Sequence, residues 1–362
     1  MAENSGLNKA KAAKKDEFYT QFDDIAAEMW HYESYFKDAT ILCNCDDPFE
    51  SNFFKYFALN FHHFGIKKLI ATCYDGSPVA GQEISFDELE SMKNSKRKAY
   101  KIELTDIPDM NGDGTFDLSD IEAFLKSDEC PIQELEGNGD FRSEECIDLL
   151  KQADIIATNP PFSLFREYIA QLMQYKKKFI VIGNINAITY QDIFPLIKNN
   201  KMWMGVSIHS GDREFQVPDS YPLNAAGYRQ DDKGRKFIRV KGVRWWTNLD
   251  YKERHDEMDL YKRYSPEDFP TYDNYDAINI NKTSDIPMDY DSYMGVPITF
   301  LDKYCPDQFE IIMLANGNAR TNTEKDTLKA VKYIHDLNDK GGLGMVNGKR
   351  VYARIIIRRR AK

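Results

Sequence analysis

The first half of the chain alternates short apolar runs with amphipathic stretches, an order that few folds accept. TILCNC (40–45), KLIATCY (68–74), DIIAT (154–158) and KFIVIGN (178–184) each read as a buried strand. Stretches of helical period follow at 51–63, at about 164–175 and at 190–198. Strands interleaved with helices predict an α/β fold built on a largely parallel sheet. Polarity rises between about 76 and 135, which predicts an insertion on that sheet. From about residue 201 the character changes, and GDREFQVP, RVKGVRWWTNLD and YDNYDAININ read as irregular, β-rich, aromatic sequence. Asn347-Gly348 between two apolar runs predicts a hairpin turn. The expected organisation is a disordered lead-in over 1–15, a core over 16–200 and a β-rich C-terminal region over 201–362.

With 362 residues, 42% of them hydrophobic, the chain can bury a sizeable core as one large or two medium domains. No run reaches the roughly 18 apolar residues of a membrane span. The six cysteines form neither a C-x-x-C pair nor a zinc pattern, which fits a reducing cytoplasm. Cys43 and Cys45 are expected as buried thiols on one face of the first strand. A net charge of −10 argues against a generally basic nucleic-acid binder but leaves room for local patches.

Chemistry concentrates where the third strand ends, in Asn159-Pro160-Pro161-Phe162. Open α/β sheets bind ligands at the carboxyl ends of their strands. Each proline holds the residue before it extended and removes a backbone N–H. The turn therefore offers two rigid acceptors, the Asn159 side-chain oxygen and the Pro160 carbonyl. Two such acceptors can hold both hydrogens of an exocyclic aromatic amine and aim its lone pair at an electrophilic methyl. They also stabilise the charge that develops on nitrogen. Phe162 would stack on the ring, a contact worth roughly 1–3 kcal/mol per base. By average residue frequencies this tetrapeptide arises by chance in about one such chain in a thousand, so the turn is specific enough to argue from.

Three further stretches carry candidate roles. Asp109, Asn111, Asp113, Thr115 and Asp120 fall at calcium-loop spacing with Gly114 at the turn, predicting a structural Ca2+ site or a polar turn cluster. The loop departs from the pattern by ending in Asp and lacking a helix before it. Arg235, Lys236, Arg239, Lys241 and Arg244 cluster with Trp245 and Trp246. They read either as phosphate contacts with an aromatic wedge or as alternating strand residues with the tryptophans in the core. Seven basic and no acidic residues lie between Lys349 and Lys362, among them Arg358, Arg359 and Arg360. That segment is either a second phosphate-binding element or a charged edge strand.

At these residues the chain resembles the adenine-specific DNA methyltransferases of the EcoRI modification-methylase family. The resemblance is carried by DEFYTQ (16–21), CNCDDP (43–48) with SNF (51–53), GDFRS (139–143) and NPPFSLFREY (159–168). GNIN (183–186), WWTN (245–248), YDNYD (272–276), GVPITFLD (295–302) and NGKRVYAR (347–354) extend it along nearly the whole chain. It implies a Rossmann-like sheet binding S-adenosyl-L-methionine, with a β-rich target-recognition region after the core. The implied reaction is methyl transfer to N6 of an adenine flipped out of double-stranded DNA. Phe18, Tyr19 and Thr20 are implied at the cofactor's methionine end.

Cys45, Asp46, Asp47 and Pro48 stand where the wider superfamily has a glycine-rich loop, and Asp47 is expected to contact the cofactor. Asp75 is the candidate for its ribose hydroxyls, and Asp140 with Phe141 for its adenine. Asp47 read otherwise is a charge at a helix N-terminus, and Asp75 and Asp140 are turn residues. Related turns also serve methyltransferases for RNA bases and protein glutamine. Cytosine N4 is disfavoured by Asn rather than Ser or Asp at 159, and an inactive DNA-binding accessory protein by the intact turn. Such enzymes act either with a cognate restriction endonuclease or without one.

Overall fold

Strand β5 (Ile155–Thr158) is four residues long because Pro160 and Pro161 have no N–H to continue a ladder. The structure, a computed structural model, describes residues 20–45, 47–74, 99–114, 116–209, 211–217 and 227–360. The expected lead-in and Phe18, Tyr19, Asp46, Asp75 and Thr115 lie outside these residues. The chain forms two compact units, Met1–Ile185 with Ser210–Leu249, and Asn186–His209 with Asp250–Lys362. Both units draw on sequence from each side of the expected boundary near residue 200.

In the first unit, β1 (Thr40–Cys43), β2 (Lys68–Cys73), β5 and β6 (Lys178–Asn184) form a parallel core in the order β2-β1-β5-β6. Thr40 to Cys43 and Ile155 to Thr158 are buried throughout, as strands covered on both faces must be. The chain runs from β1 outward to β2, then returns to β5 on the other side of β1. Open α/β sheets bind ligands at such a reversal, here at the carboxyl ends of β1 and β5. Antiparallel strands extend the sheet at both sides. β3 (Tyr100–Leu104) and β4 (Ile132–Glu134) continue it beyond β2, so the stretch expected as an insertion supplies sheet strands. Their sequence is weakly apolar because all three β4 residues are exposed.

On the other side β11 (Val243–Thr247) pairs with β6, setting Trp245 opposite Ile182 and Trp246 opposite Val181. Both tryptophans are core residues, packed near Phe53 and Phe165 at ring separations of 5.7 and 6.1 Å. A small antiparallel sheet, β8 (Asp212–Val217), β10 (Lys236–Lys241) and β9 (Arg229–Gln230), also belongs to this unit.

Three helices of this unit begin where a side chain accepts from an N–H of their first turn. Helix α1 (Phe22–Met29) precedes β1. Ser51 Oγ accepts from Phe54 N at 3.3 Å and starts α2 (Asn52–Leu59). The helix expected over 51–63 breaks at Asn60, and the next turn closes at Gly65, whose φ is +62°. α3 (Leu118–Leu125) starts in a capping box of Asp117 and Asp120, and α4 (Glu144–Gln152) at Ser143. α5 (Phe165–Gln174) follows the Asn-Pro-Pro-Phe turn. Phe165 occupies the space that a side chain at Gly183 would need, its Cε2 lying 2.4 Å from a Cβ there. The glycine lets α5 lie close on β6.

β1 ends at Cys43, and Cys45 has φ +77°, so the two cysteines do not share a strand face. All six cysteines are free thiols, and no described helix is long and apolar enough to cross a membrane.

The second unit contains β7 (Trp203–Met204) and a sheet of β12 (Ile278–Asn279), β13 (Met294–Pro297), β14 (Phe309–Ala315) and β17 (Arg354–Arg359), in the order β12-β13-β17-β14. The arginine-rich β17 is therefore an interior strand, not the edge strand its charge suggested. Its buried residues are Ile355, Ile356 and Ile357. The expected hairpin forms between β15 (Met345–Val346) and β16 (Lys349–Arg350), with Asn347 and Gly348 both left-handed.

His255 lies between two carboxylates of this unit, with Nδ1 2.6 Å from Asp307 and Nε2 2.9 Å from Asp250. Hydrogen bonds to Asp307 and then Asp250 raise its pKa above the ordinary 6.5. A raised folded-state value means that the bracket's stabilisation is complete below 6.5 and is lost as pH rises through the raised value. The melting temperature of the wild type is expected to fall across that window by more than that of His255→Gln. Parallel pH profiles in calorimetry would show that the bracket contributes nothing.

Candidate active site

The chain leaves β1 through Asn44, which is 3% exposed, and there two elements converge. The Thr158 hydroxyl, at the end of β5, donates to the Asn44 carbonyl, and the Tyr168 hydroxyl, on α5, donates to Asn44 Oδ1. Thr158 and Tyr168 are themselves fully buried. Between them runs the turn singled out in the sequence. Asn159 is 6% exposed, Pro160 is buried, and Pro161 and Phe162 are partly exposed. Pro161 is extended, with φ −53° and ψ 123°, and its carbonyl accepts from Leu164 N at 2.9 Å. Phe215 of β8 meets the Phe162 ring edge-on, with centroids 6.4 Å apart.

Asp47 faces inward. Its carboxylate accepts from Phe49 N at 2.9 Å, from the Tyr100 hydroxyl at 2.9 Å and from the Cys73 thiol at 3.3 Å. Burial pushes its pKa up, opposed by those hydrogen bonds, and the burial of Tyr100 beside Asp47 pushes the phenol up as well. These bonds make Asp47 a brace that ties the β1 turn to β2 and β3. Its side chain does not cap α2, a role that Ser51 takes. Cys45 and Pro48 lie on the same turn.

Thr20 is buried, and its hydroxyl has no hydrogen-bond partner among the described residues. Its carbonyl accepts from Asn52 Nδ2 at 2.7 Å, which fixes it beside α2. Gly139 has φ +73°, and a Cβ there would lie 2.4 Å from the Cys73 carbonyl. Only glycine brings Asp140 and Phe141 this close to the end of β2. Phe141 is buried edge-on against Tyr168 at 5.1 Å, and its carbonyl accepts from Gln171 Nε2 at 3.0 Å. Arg142 binds both Asp140 oxygens, at 2.8 and 2.6 Å, and reaches Glu167 at 2.9 Å. A buried unpartnered hydroxyl beside the start of α2 and a glycine-floored approach at the end of β2 suit a small polar cofactor.

Sequence reasoning passed over Asn44, Tyr168, Tyr100, Cys73 and Phe215. A polar residue inside an otherwise apolar expected strand was the legible signal for Asn44. The others are read only once distant strands are side by side.

The basic candidates divide. Arg244 is 3% exposed and donates to the Val243 carbonyl at 2.8 Å. With Trp245 and Trp246 it belongs to the core, so the wedge reading of the pair and the phosphate reading of Arg244 are withdrawn. Arg235 pairs with Asp231 at 2.7 Å, and Lys236 is half-buried. Arg239 and Lys241 are exposed on β10 opposite Glu214 and Asp212. In the second unit Arg358 pairs with Glu310 at 2.7 Å, Arg359 donates to the Met288 carbonyl, and Arg360 donates to the Pro306 carbonyl at 2.7 Å.

The calcium expectation meets carboxylates that are already used. Asp109 accepts from Gly112 N at 2.7 Å and Gly114 N at 2.9 Å, and Asn111 accepts from Asp113 N at 2.8 Å. Asp120 is fully buried and accepts from Met110 N at 3.0 Å and Asp117 N at 2.9 Å. Among the described residues no group of His, Cys, Asp or Glu is placed to hold a metal ion. The residues fit a self-capped polar loop and not an ion.

Comparison with known proteins gives matches along the full length. The profile of the adenine-specific methyltransferase EcoRI family covers residues 6–360. The type II methyltransferase M.EcoRI of Escherichia coli is 45% identical over 359 residues, spanning 99% of this chain and 97% of the relative. M.MpnI of Mycoplasma pneumoniae is 38% identical over 360 residues, and M.MgeORF184P of Mycoplasma genitalium 36% over 358, each spanning 98% of both chains. No solved structure gives a significant match.

Proposed function

The chain belongs to the EcoRI family of adenine-specific methyltransferases, and from that premise we propose that it methylates N6 of an adenine flipped out of double-stranded DNA, at the crevice between β1 and β5. The observation that carries this reading is the buried Asn159-Pro160 turn at the switch point of a parallel sheet. Bound S-adenosyl-L-methionine would supply an electrophilic methyl carbon. Thr20, Cys45, Asp47, Pro48, Asp140 and Phe141 are the described residues assigned to hold it. Thr20 offers its buried hydroxyl and Phe141 an apolar surface. Asp140 exchanges the Arg142 pair for a hydrogen bond to an amine.

Asn159 Oδ1 and the Pro160 carbonyl accept the two hydrogens of the target amine. Pro161 holds Pro160 extended, and its own carbonyl accepts from Leu164 N. With both hydrogens held in a water-poor site, the nitrogen becomes more tetrahedral and its developing charge is stabilised by preoriented dipoles. The surplus proton leaves after transfer, so no strong base is needed. Phe162 stacks on the extruded base, and Phe215 fixes the ring's angle. Arg239 and Lys241 are assigned to phosphate contacts, and sequence recognition to the β-rich second unit. The free thiols support a place in the cytoplasm.

The test is incubation with labelled S-adenosyl-L-methionine, DNA, RNA and protein, followed by nucleoside and amino-acid analysis. Label in N6-methyladenine of DNA is expected. Label confined to RNA or to glutamine would replace the reading with one of its rivals.

A further inference from the structure

We infer that Asn44 is a positioning residue for methyl transfer, acting through Thr158 and Tyr168 to hold the catalytic turn from both sides. This rests on the assignment of Asn159 and Pro160 as the amine acceptors. The turn has no ladder to hold it, since neither proline can donate a backbone hydrogen bond. What flanks it is better held. Thr158 immediately precedes Asn159, and Tyr168 lies on the helix that leaves Phe162. Both hydroxyls donate to the same residue, one to its carbonyl and one to its side-chain oxygen. All three residues are 3% exposed or less, so water does not compete for these bonds.

Asn44 is suited to this double role because it carries two acceptors at one position. It also lies at the end of β1, directly before the left-handed Cys45 that opens the cofactor-side turn. The bracket therefore sets the catalytic turn and the cofactor turn from one point. The Phe141 ring against Tyr168 and the Gln171 bond to the Phe141 carbonyl extend it to the proposed adenine pocket. The distance and angle between amine and methyl then depend on Asn44. A misplacement of about 1 Å can lower a rate by about 100-fold.

Thr158→Val and Tyr168→Phe each remove one hydroxyl and little else, and Thr158→Ser keeps the hydroxyl. Single-turnover methylation of a DNA duplex, cofactor affinity by calorimetry and melting temperature are measured for each. Thr158→Val and Tyr168→Phe are expected to lower the transfer rate by about 10- to 100-fold, with cofactor affinity within about threefold of the wild type. Thr158→Ser is expected to restore most of the rate. Wild-type rates in both, or losses that follow only cofactor affinity or melting temperature, would overturn the bracket. Asn159→Ala serves as the control: if it transfers normally, the acceptor assignment fails, whereas normal transfer in the hydroxyl variants alone sinks only the role of Asn44.

Discussion

Asn159→Ala is expected to lose methyl transfer by about 100- to 1000-fold or more while binding S-adenosyl-L-methionine almost as the wild type does. The magnitude follows from removing one preoriented dipole from a buried site where charge develops. Cofactor binding is spared because the residues assigned to it stand on other segments, around Thr20, Cys45 and Phe141. Asn159→Asp provides the sharper comparison. It keeps an acceptor oxygen at the same position and is expected to transfer faster than Asn159→Ala, despite a carboxylate at a site only 6% exposed. Single-turnover rates at saturating cofactor separate the outcomes. A large loss of cofactor affinity in Asn159→Ala would move the residue from the acceptor pair to the cofactor pocket.

Trp246→Ala is expected to destabilise the protein by about 3–5 kcal/mol, the usual cost of emptying an aromatic site in a packed core. Trp246 is fully buried on β11 and faces Phe165, which in turn packs on Gly183 of β6. The cavity therefore loosens the start of α5, just after the catalytic turn. Trp246→Phe keeps most of the packing and is expected to bind DNA as the wild type does. Urea unfolding and a DNA titration at low temperature give the two readouts. Unchanged stability with a collapse of DNA affinity would return Trp246 to the interface.

The buried strands of the parallel core were legible because each is a continuous apolar run bounded by turn residues. The Asn-Pro-Pro-Phe turn was legible for a different reason: two prolines dictate local geometry whatever surrounds them. That antiparallel strands join this sheet escaped notice. β3 and β4 carry too few apolar residues to stand out from an insertion, and β11 sits amid basic residues that suggest a surface. Arg244, Trp245 and Trp246 show the limit most clearly. A strand with two adjacent tryptophans after an arginine reads the same whether its large residues face a groove or a core, and only pairing with β6 decides. The Asp109–Asp120 loop shows a similar limit. Ligand spacing recurs in any tight Asx-rich turn, and the backbone N–H groups claimed those oxygens first.

By itself, the sequence determined the parallel α/β core, the rigid acceptor turn and membership in a family of adenine methyltransferases. These depend on periodicity, on proline's fixed torsion and on residues that stand close together in the chain. Tertiary structure alone decided that Asp47 braces Tyr100 and Cys73, that the arginine-rich end is an interior strand, and that Asn44 joins Thr158 to Tyr168. Each of those joins residues far apart in the chain. A hydroxyl or carboxylate carries no mark of its partner until the sheet order sets the two within 3 Å or so.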